Sequence, residues 1–353
     1  MLNLLLLQEA DEEHAIIKHV IENAEKNKTH DMFLARKSEG LVFLLRNIYG
    51  VTKKNSENFL GISQSYITRI VRLVLKYLSI RLTSILLSPP TKDGLKIIAE
   101  NFWKRWNFPN CVGAIDGKHI RIFAPGKSGS LFFNYKDFFS IVLLAIVDAN
   151  CKFIFVDIGS YGKEGDSGIF NKCGISEVTR TGEYFPLPEK LPNSNIKLPY
   201  VHIGDEAFRL DRHMMRPYSK TESRKNYQKT VFNYRLSRAK RTTENSFGLL
   251  SQVFRVFYTP IPLKAETVDY LVLSACCLHN LLRDRYLENT SYHYYNFDHN
   301  EPQPSTNMTS LTKTGGFANI EGFCLRDEFK KFFNSSQGEI PWQHHQVQQN
   351  GSL

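Results

Sequence analysis

Apolar residues recur at mixed three- and four-residue spacing from Glu13 to Asn27, from Asp31 to Tyr49 and across KKNSENFLGISQSYITRIVRLVLKYLSIRL. That spacing predicts helices throughout the first third of the chain. In the last segment Ile67, Ile70, Val71, Val74 and Leu78 form one apolar stripe, and Gln64, Thr68, Arg69 and Arg72 lie off it. With Ser63 as an N-cap and a turn at Gly61 and Ile62, residues 53–82 read either as a helix-turn-helix or as a plain helical hairpin. In the first case Gln64, Thr68 and Arg69 are candidates to read base edges, with Arg72 beside them as a further DNA contact. Pro89 and Pro90 end this region, and GLKIIAENFWKRW predicts a helical linker over 91–109.

From Asn110 the period shortens. VGAID, HIRIF, SIVLLAIVD and KFIFVDIG are short runs rich in Val, Ile and Phe, with a turn signal at Asp148-Ala149-Asn150, and they predict strands. A helix is expected from Asp166, a Pro-rich loop or insertion from Gly174 to Pro199, then a strand at VHIGD. Helical pattern returns from Phe232 to Phe257 and from Ala265 to Tyr286. From about Glu288 the periodicity fades, and 288–353 reads as a weakly ordered tail. The expected class is α/β: an all-α region over 1–90, the linker, and a mixed sheet flanked by helices over 110–287.

Composition narrows the partners. At 353 residues and 42% hydrophobic content the chain can bury a sizeable core, and its formal net charge of +10 points to a polyanion such as DNA. Between Arg209 and Arg241 there are eleven Lys and Arg against Asp211 and Glu222, a local balance of +9, so nearly the whole excess lies in one segment. Arg238, Lys240 and Arg241 are its candidate phosphate contacts. Six cysteines contain no CxxC pair, and a zinc reading through Cys277 and His279 lacks further ligands at the right spacing. The opening MLNLLLL has no basic residues before it and is not expected to be a signal peptide. No stretch approaches the ~20 apolar residues of a membrane span, so no membrane partner is expected.

Three acidic residues carry the candidate chemistry: Asp116 in CVGAIDGKHIRIF, Asp205 in YVHIGDEAFRL and Glu244 in RAKRTTENSFG. The first two end apolar runs, as buried strands delivering a carboxylate to a sheet edge do, and the third lies on a predicted helix. Their separations of 89 and 39 residues suit a site assembled by folding. Three converging carboxylates repel one another unless cations sit among them, and hard oxygen ligands suit Mg²⁺ or Mn²⁺, here two ions. The chemistry expected is two-metal phosphoryl transfer on nucleic acid. Against this stand the ordinary roles of such residues: solvated strand ends, a helix cap, and charge alternation on a surface helix.

Longer stretches resemble the nuclease subunit of the PIF/Harbinger transposases and their host-domesticated derivatives, a group of DDE superfamily endonucleases. They are AIDGKHIRI, GSLFFNYKDFFSIVLLAIVDANCKFIFVDIGSYG, GDSGIF, GDEAFRLDRHMMRPYS, FNYRLSRAKRTTENSFG and CLHNLLR, between about Cys111 and Arg283. The resemblance implies a ribonuclease H-like domain whose acidic triad falls on Asp116, Asp205 and Glu244, with Asp166 as a recurring accessory position. It further implies a nuclear, metal-dependent endonuclease that reuses the same site to join a freed 3′-hydroxyl to target DNA. Copies of the chain are expected to assemble on DNA, beside a separately encoded Myb-like DNA-binding partner. Some members carry Gly-Tyr after the second aspartate where this chain has Glu206, Ala207 and Phe208, which leaves the carboxylate in place. The rival expectation is a domesticated, catalytically silent DNA-binding or scaffold protein that keeps the fold.

Overall fold

A computed structural model describes residues 64–288, 307–311 and 318–350. The helices expected before Gln64, and with them the first helix and turn of the 53–82 segment, lie outside the described residues. Two helices open the described chain, α1 (Gln64–Leu86) and α2 (Lys92–Trp106). Three strands follow, β1 (Cys111–Arg121), β2 (Ser140–Val147) and β3 (Phe153–Tyr161), then the short helices α3 (Asp166–Lys172) and α4 (Gly174–Thr181). A hairpin of β4 (Glu189–Lys190) and β5 (Lys197–Leu198) precedes β6 (Val201–Ile203) and β7 (Met214–Met215). The rest is α5 (Lys220–Arg224), α6 (Tyr227–Val253), α7 (Ala265–Glu288), β8 (Met308–Ser310), α8 (Ile320–Phe333) and α9 (Gln343–Asn350).

The sheet is mixed. Its order is β3-β2-β1-β6-β7, with β8 also paired to β1. β1, β2 and β3 run antiparallel as a meander, and β6 joins β1 in parallel. Every residue of β2 is buried, as its unbroken apolar run requires of a strand covered on both faces. On one face Ala114, Leu143, Ala145 and Val147 pack into the main core with Phe247 and Leu250 of α6 and Leu271 and Cys276 of α7. On the other face Ile115, Val142, Leu144 and Ile146 meet Ile169 and Phe170 of α3 and Phe208. This mixed sheet flanked by helices is consistent with a ribonuclease H-like domain.

Three expectations change. VGAID and HIRIF are one eleven-residue strand, because Gly117 continues β1 and pairs with Leu144 instead of turning. The segment 174–199 is not a bare loop: it holds α4 and the β4–β5 hairpin, and it buries Phe185, Leu191 and Leu198. The stretch beyond Glu288 supplies β8, which completes the sheet on β1, as well as α8 and α9. Phe329, Phe332 and Phe333 of α8 are buried in the main core, with Phe108 beside Phe329 and Phe333. An amphipathic helix that follows a low-periodicity linker is hard to see in sequence until its partner surface exists.

α1 is a single helix packed on the main body. Val71 and Leu75 join the core, Asn280 of α7 donates to the Leu86 carbonyl at 2.8 Å, and Arg72 pairs with Glu266 of α7 at 2.7 Å. α2 starts on Thr91, whose side chain accepts from the Gly94 amide, and ends at Asn107 in the left-handed region, φ 59°. Among the described residues no helix is long and apolar enough to cross a membrane, and all six cysteines are free thiols.

Candidate active site

The parallel pairing of β1 with β6 sets the geometry. Ala114 is opposite Ile203, so two residues further along each strand Asp116 and Asp205 stand at the same level of the sheet. β6 ends at Ile203, and β8 takes up the same edge of β1 only from Lys118. The edge of β1 is therefore open at residues 115–117, and both aspartates lie at that opening. Asp116 belongs to the middle of a strand and not to its end, a correction to the sequence reading. Asp205 does follow its strand, and its Oδ1 accepts from the Ala207 amide at 3.0 Å. Gly204 permits this tight turn: a Cβ there would stand 2.6 Å from the Phe208 ring and 3.0 Å from Ile115.

Both aspartates are buried, and two lysines neutralise them. Lys240 of α6 donates to Asp116 Oδ1 at 2.9 Å, and its Nζ is 3.9 Å from Asp205 Oδ2. Lys118 Nζ is 3.2 Å from Asp116 Oδ2 and donates to Ser310 Oγ of β8 at 2.7 Å. Burial alone would raise the Asp116 pKa, but Lys240 and then Lys118 outweigh it and hold the carboxyl below the usual range. Lys118 also lies over the Phe247 ring, 5.5 Å from its centroid. The cluster has two negative and two positive charges.

The remaining sequence candidates separate. Glu244 is exposed on α6, one turn beyond Lys240. Among the described residues no three His, Cys, Asp or Glu side chains form a group that could hold a metal ion, so Glu244 is not drawn into the aspartate pair in this conformation. Lys240 does not hold out its charge on the surface, as the sequence reading expects, but is turned onto the sheet. The 3.6-residue period places it on the inner side of α6, and puts the exposed Arg241 and half-buried Arg238 further round. Asp166 is the first residue of α3, whose N-cap is Gly165, so it does not occupy the capping position itself. Gln64 opens α1, Thr68 and Arg69 are exposed along it, and Arg72 is engaged with Glu266.

The basic segment is also less available than its charge implies. Arg209 pairs with Asp211, Arg212 with Glu321, Lys229 with Glu222, and Arg216 donates to the Glu206 and Phe208 carbonyls. Arg235 is fully buried. The exposed remainder is Lys220, Arg224, Lys225 and Arg241, with Arg238 half-buried. His279 is no zinc ligand here, since its Nε2 bonds the Cys151 carbonyl at 2.7 Å.

Sequence reading missed Lys118 and Ser310. Lys118 had a signal: two residues from Asp116 on one strand, it must share that residue's face, but reading VGAID and HIRIF as separate runs hides the alternation. Ser310 lies in a stretch with no pattern to mark it.

The segment that carries both aspartates has recognisable relatives. Residues 115–280 match the DDE superfamily endonuclease family. Among individual proteins the chain is 27% identical over 228 residues to "Protein ALP1-like" of Arabidopsis thaliana, covering 64% of this chain and 55% of that one. It is 24% identical over 234 residues to "Putative nuclease HARBI1" of Rattus norvegicus, covering 63% and 60%, and 23% identical over 230 residues to the Homo sapiens protein of the same name, again covering 63% and 60%. The match thus spans between about half and three-fifths of these relatives' length. No solved structure matches the chain.

Proposed function

We infer that this protein is a divalent-metal-dependent DNA endonuclease of the transposase-derived type, with Asp116, Asp205 and Glu244 as its oxygen ligands. The observation that carries the reading is the buried aspartate pair, brought to one level by strand register and already neutralised by cations. Two carboxylates in that setting suit Mg²⁺ or Mn²⁺, and the two ammonium groups mark where positive charge is needed. Such ions, when bound, supply Lewis acidity and charge neutralisation at a phosphodiester. The chain's own residues do the rest. Lys118 and Lys240 keep Asp116 ionised, Gly204 holds the second aspartate close to the sheet, and Glu244, one turn from Lys240, is proposed as the third carboxylate.

Arg238, Arg241 and the exposed cations of α5 are proposed to hold phosphates, with Gln64, Thr68 and Arg69 reading bases and Asp166 in an accessory role. Joining of 3′-hydroxyl ends, action in the nucleus, assembly of copies on DNA and a Myb-like partner are carried over from the family resemblance. One observation favours the rival reading of a silent DNA-binding scaffold: Lys240 and Lys118 satisfy the charge of the aspartates, and Glu244 stays outside. A nicking assay on supercoiled plasmid separates the two. The expected result is cleavage with Mg²⁺ or Mn²⁺, none with EDTA, and a loss of at least about 10³-fold in Asp116→Asn with DNA binding retained. Equal nicking by the parent and Asp116→Asn, or none by either, overturns the endonuclease reading.

A further inference from the structure

On the outer side of α6, that helix and the C-terminal segment line a cleft of about 610 Å³, within the roughly 300–1,000 Å³ of small-ligand sites. α6 contributes Tyr234, Ser237, Arg238 and Arg241, and the C-terminal segment contributes Trp342 and Gln346. Among the described residues no carboxylate lines it, so its charge is positive. The Arg238 guanidinium lies over the Trp342 ring, 5.8 Å from the centroid, and its buried Nε has no hydrogen-bond partner among the described residues. Trp342 itself is 43% exposed. A buried donor without an acceptor costs about 1–3 kcal/mol, and an exposed indole beside it offers a flat apolar face. An anion joined to an aromatic ring suits the positive charge of the cleft and the exposed indole together.

Position supplies the identity. The cleft residues of α6 run from Thr230, ten residues or about 15 Å along the axis before Lys240 at ~1.5 Å per residue, to Arg241, one residue beyond it. That length accommodates up to about four nucleotides at the ~3.4 Å rise of one DNA strand. We propose that this cleft receives an unstacked nucleotide of the DNA strand held at Asp116 and Asp205, its base against Trp342 and its phosphates on Arg238 and Arg241. Ser237 and Gln346 are placed to bond the base edge. The proposal rests on the endonuclease reading for the strand's course, and it assigns the C-terminal segment a direct part in substrate binding.

The test uses the full chain in EDTA, so that binding is read apart from cleavage. A short single-stranded oligodeoxyadenylate is compared with an abasic strand of the same length and charge, by anisotropy and by quenching of tryptophan fluorescence. The expected result is about 5- to 150-fold tighter binding of the base-bearing strand, from base stacking on one aromatic. Trp342→Leu should abolish that preference, bringing the affinity ratio of the two strands to about one, and Trp342→Phe should keep most of it. A loss on both strands alike, or on neither, overturns the proposal, as does deoxyadenosine monophosphate binding as tightly as the strand. If base preference holds while the plasmid is never nicked, the cleft stands and the endonuclease reading falls; nicking without base preference gives the converse.

Discussion

The N-terminal half of α6 and its middle turn each bury a cation, and they do so by opposite means. Arg235 is held by neutral oxygens. Its Nε and Nη2 donate to the Asn107 carbonyl at 3.1 and 2.5 Å, and its Nη1 donates to the Gly338 carbonyl at 2.9 Å and Gln343 Oε1 at 2.8 Å. The guanidinium also lies 4.3 Å from the centroid of Phe333. Burial lowers its pKa to about 9. Five residues along, Lys240 meets two carboxylates. A planar fork can satisfy several carbonyls at once and so can tie the end of α2 to the C-terminal segment. A compact ammonium on a flexible stem instead serves as a counter-ion that another cation can replace. One basic run in the sequence thus contains a structural clamp, a site cation and surface charge.

Removing the clamp should have the largest effect. Arg235→Ala leaves the Asn107 and Gly338 carbonyls without their donor and opens a cavity, so a loss of about 3 kcal/mol is expected in urea unfolding. A loss below about 1 kcal/mol shows that water replaces the guanidinium and that the clamp is dispensable.

Lys240→Met should cost less, about 2 kcal/mol, below the ~3–5 kcal/mol of a fully unpaired buried charge because Lys118 still faces Asp116. The variant should also gain more in melting temperature from Mg²⁺ or Ca²⁺ than the parent does, since the ion no longer competes with an ammonium group. An equal gain in both proteins contradicts the counter-ion role. No such rescue is expected for Arg235→Ala.

Asp269 of α7 gives the converse case, a half-buried acid whose charge is raised in cost by its surroundings. Burial first, and then Glu266, pushes its pKa up to about 6. A folded-state pKa above the unfolded one means that ionisation favours the unfolded chain, so this group costs stability as pH rises from about 4 to 6. Asp269→Asn should therefore be more stable at pH 7 by about 1 kcal/mol, after allowance for its partial exposure, and no more stable at pH 4. The same gain at both pH values assigns the effect to packing.

The cations of the cleft are expected to show their effect in DNA binding. Replacing Arg238 and Arg241 with Gln should lower the slope of log affinity against log salt by up to about 0.9 for each phosphate that the protein ceases to neutralise on duplex DNA. An unchanged slope removes the outer side of α6 from the DNA path.

Local pattern was enough for much of this molecule. β2 is an unbroken apolar run, α2 carries its cap at Thr91, and α6 and α7 lie close to where periodicity puts them. Asp116 and Asp205 drew attention as acids following apolar runs, a signal that Asp148 after SIVLLAIV shares, so pattern alone did not single them out. What the sequence could not determine was pairing. The level shared by Asp116 and Asp205 comes from the parallel register of β1 and β6, which joins residues 89 apart. Lys240 points to the aspartates, and not to solvent, because α6 packs on that face of the sheet. Nor does the sequence announce that residues beyond 288 close the sheet at β8 and one wall of the cleft at Trp342. Helix and strand periods are set by contacts between near neighbours, whereas register, facing and counter-ions are set by surfaces that exist only once distant segments have met.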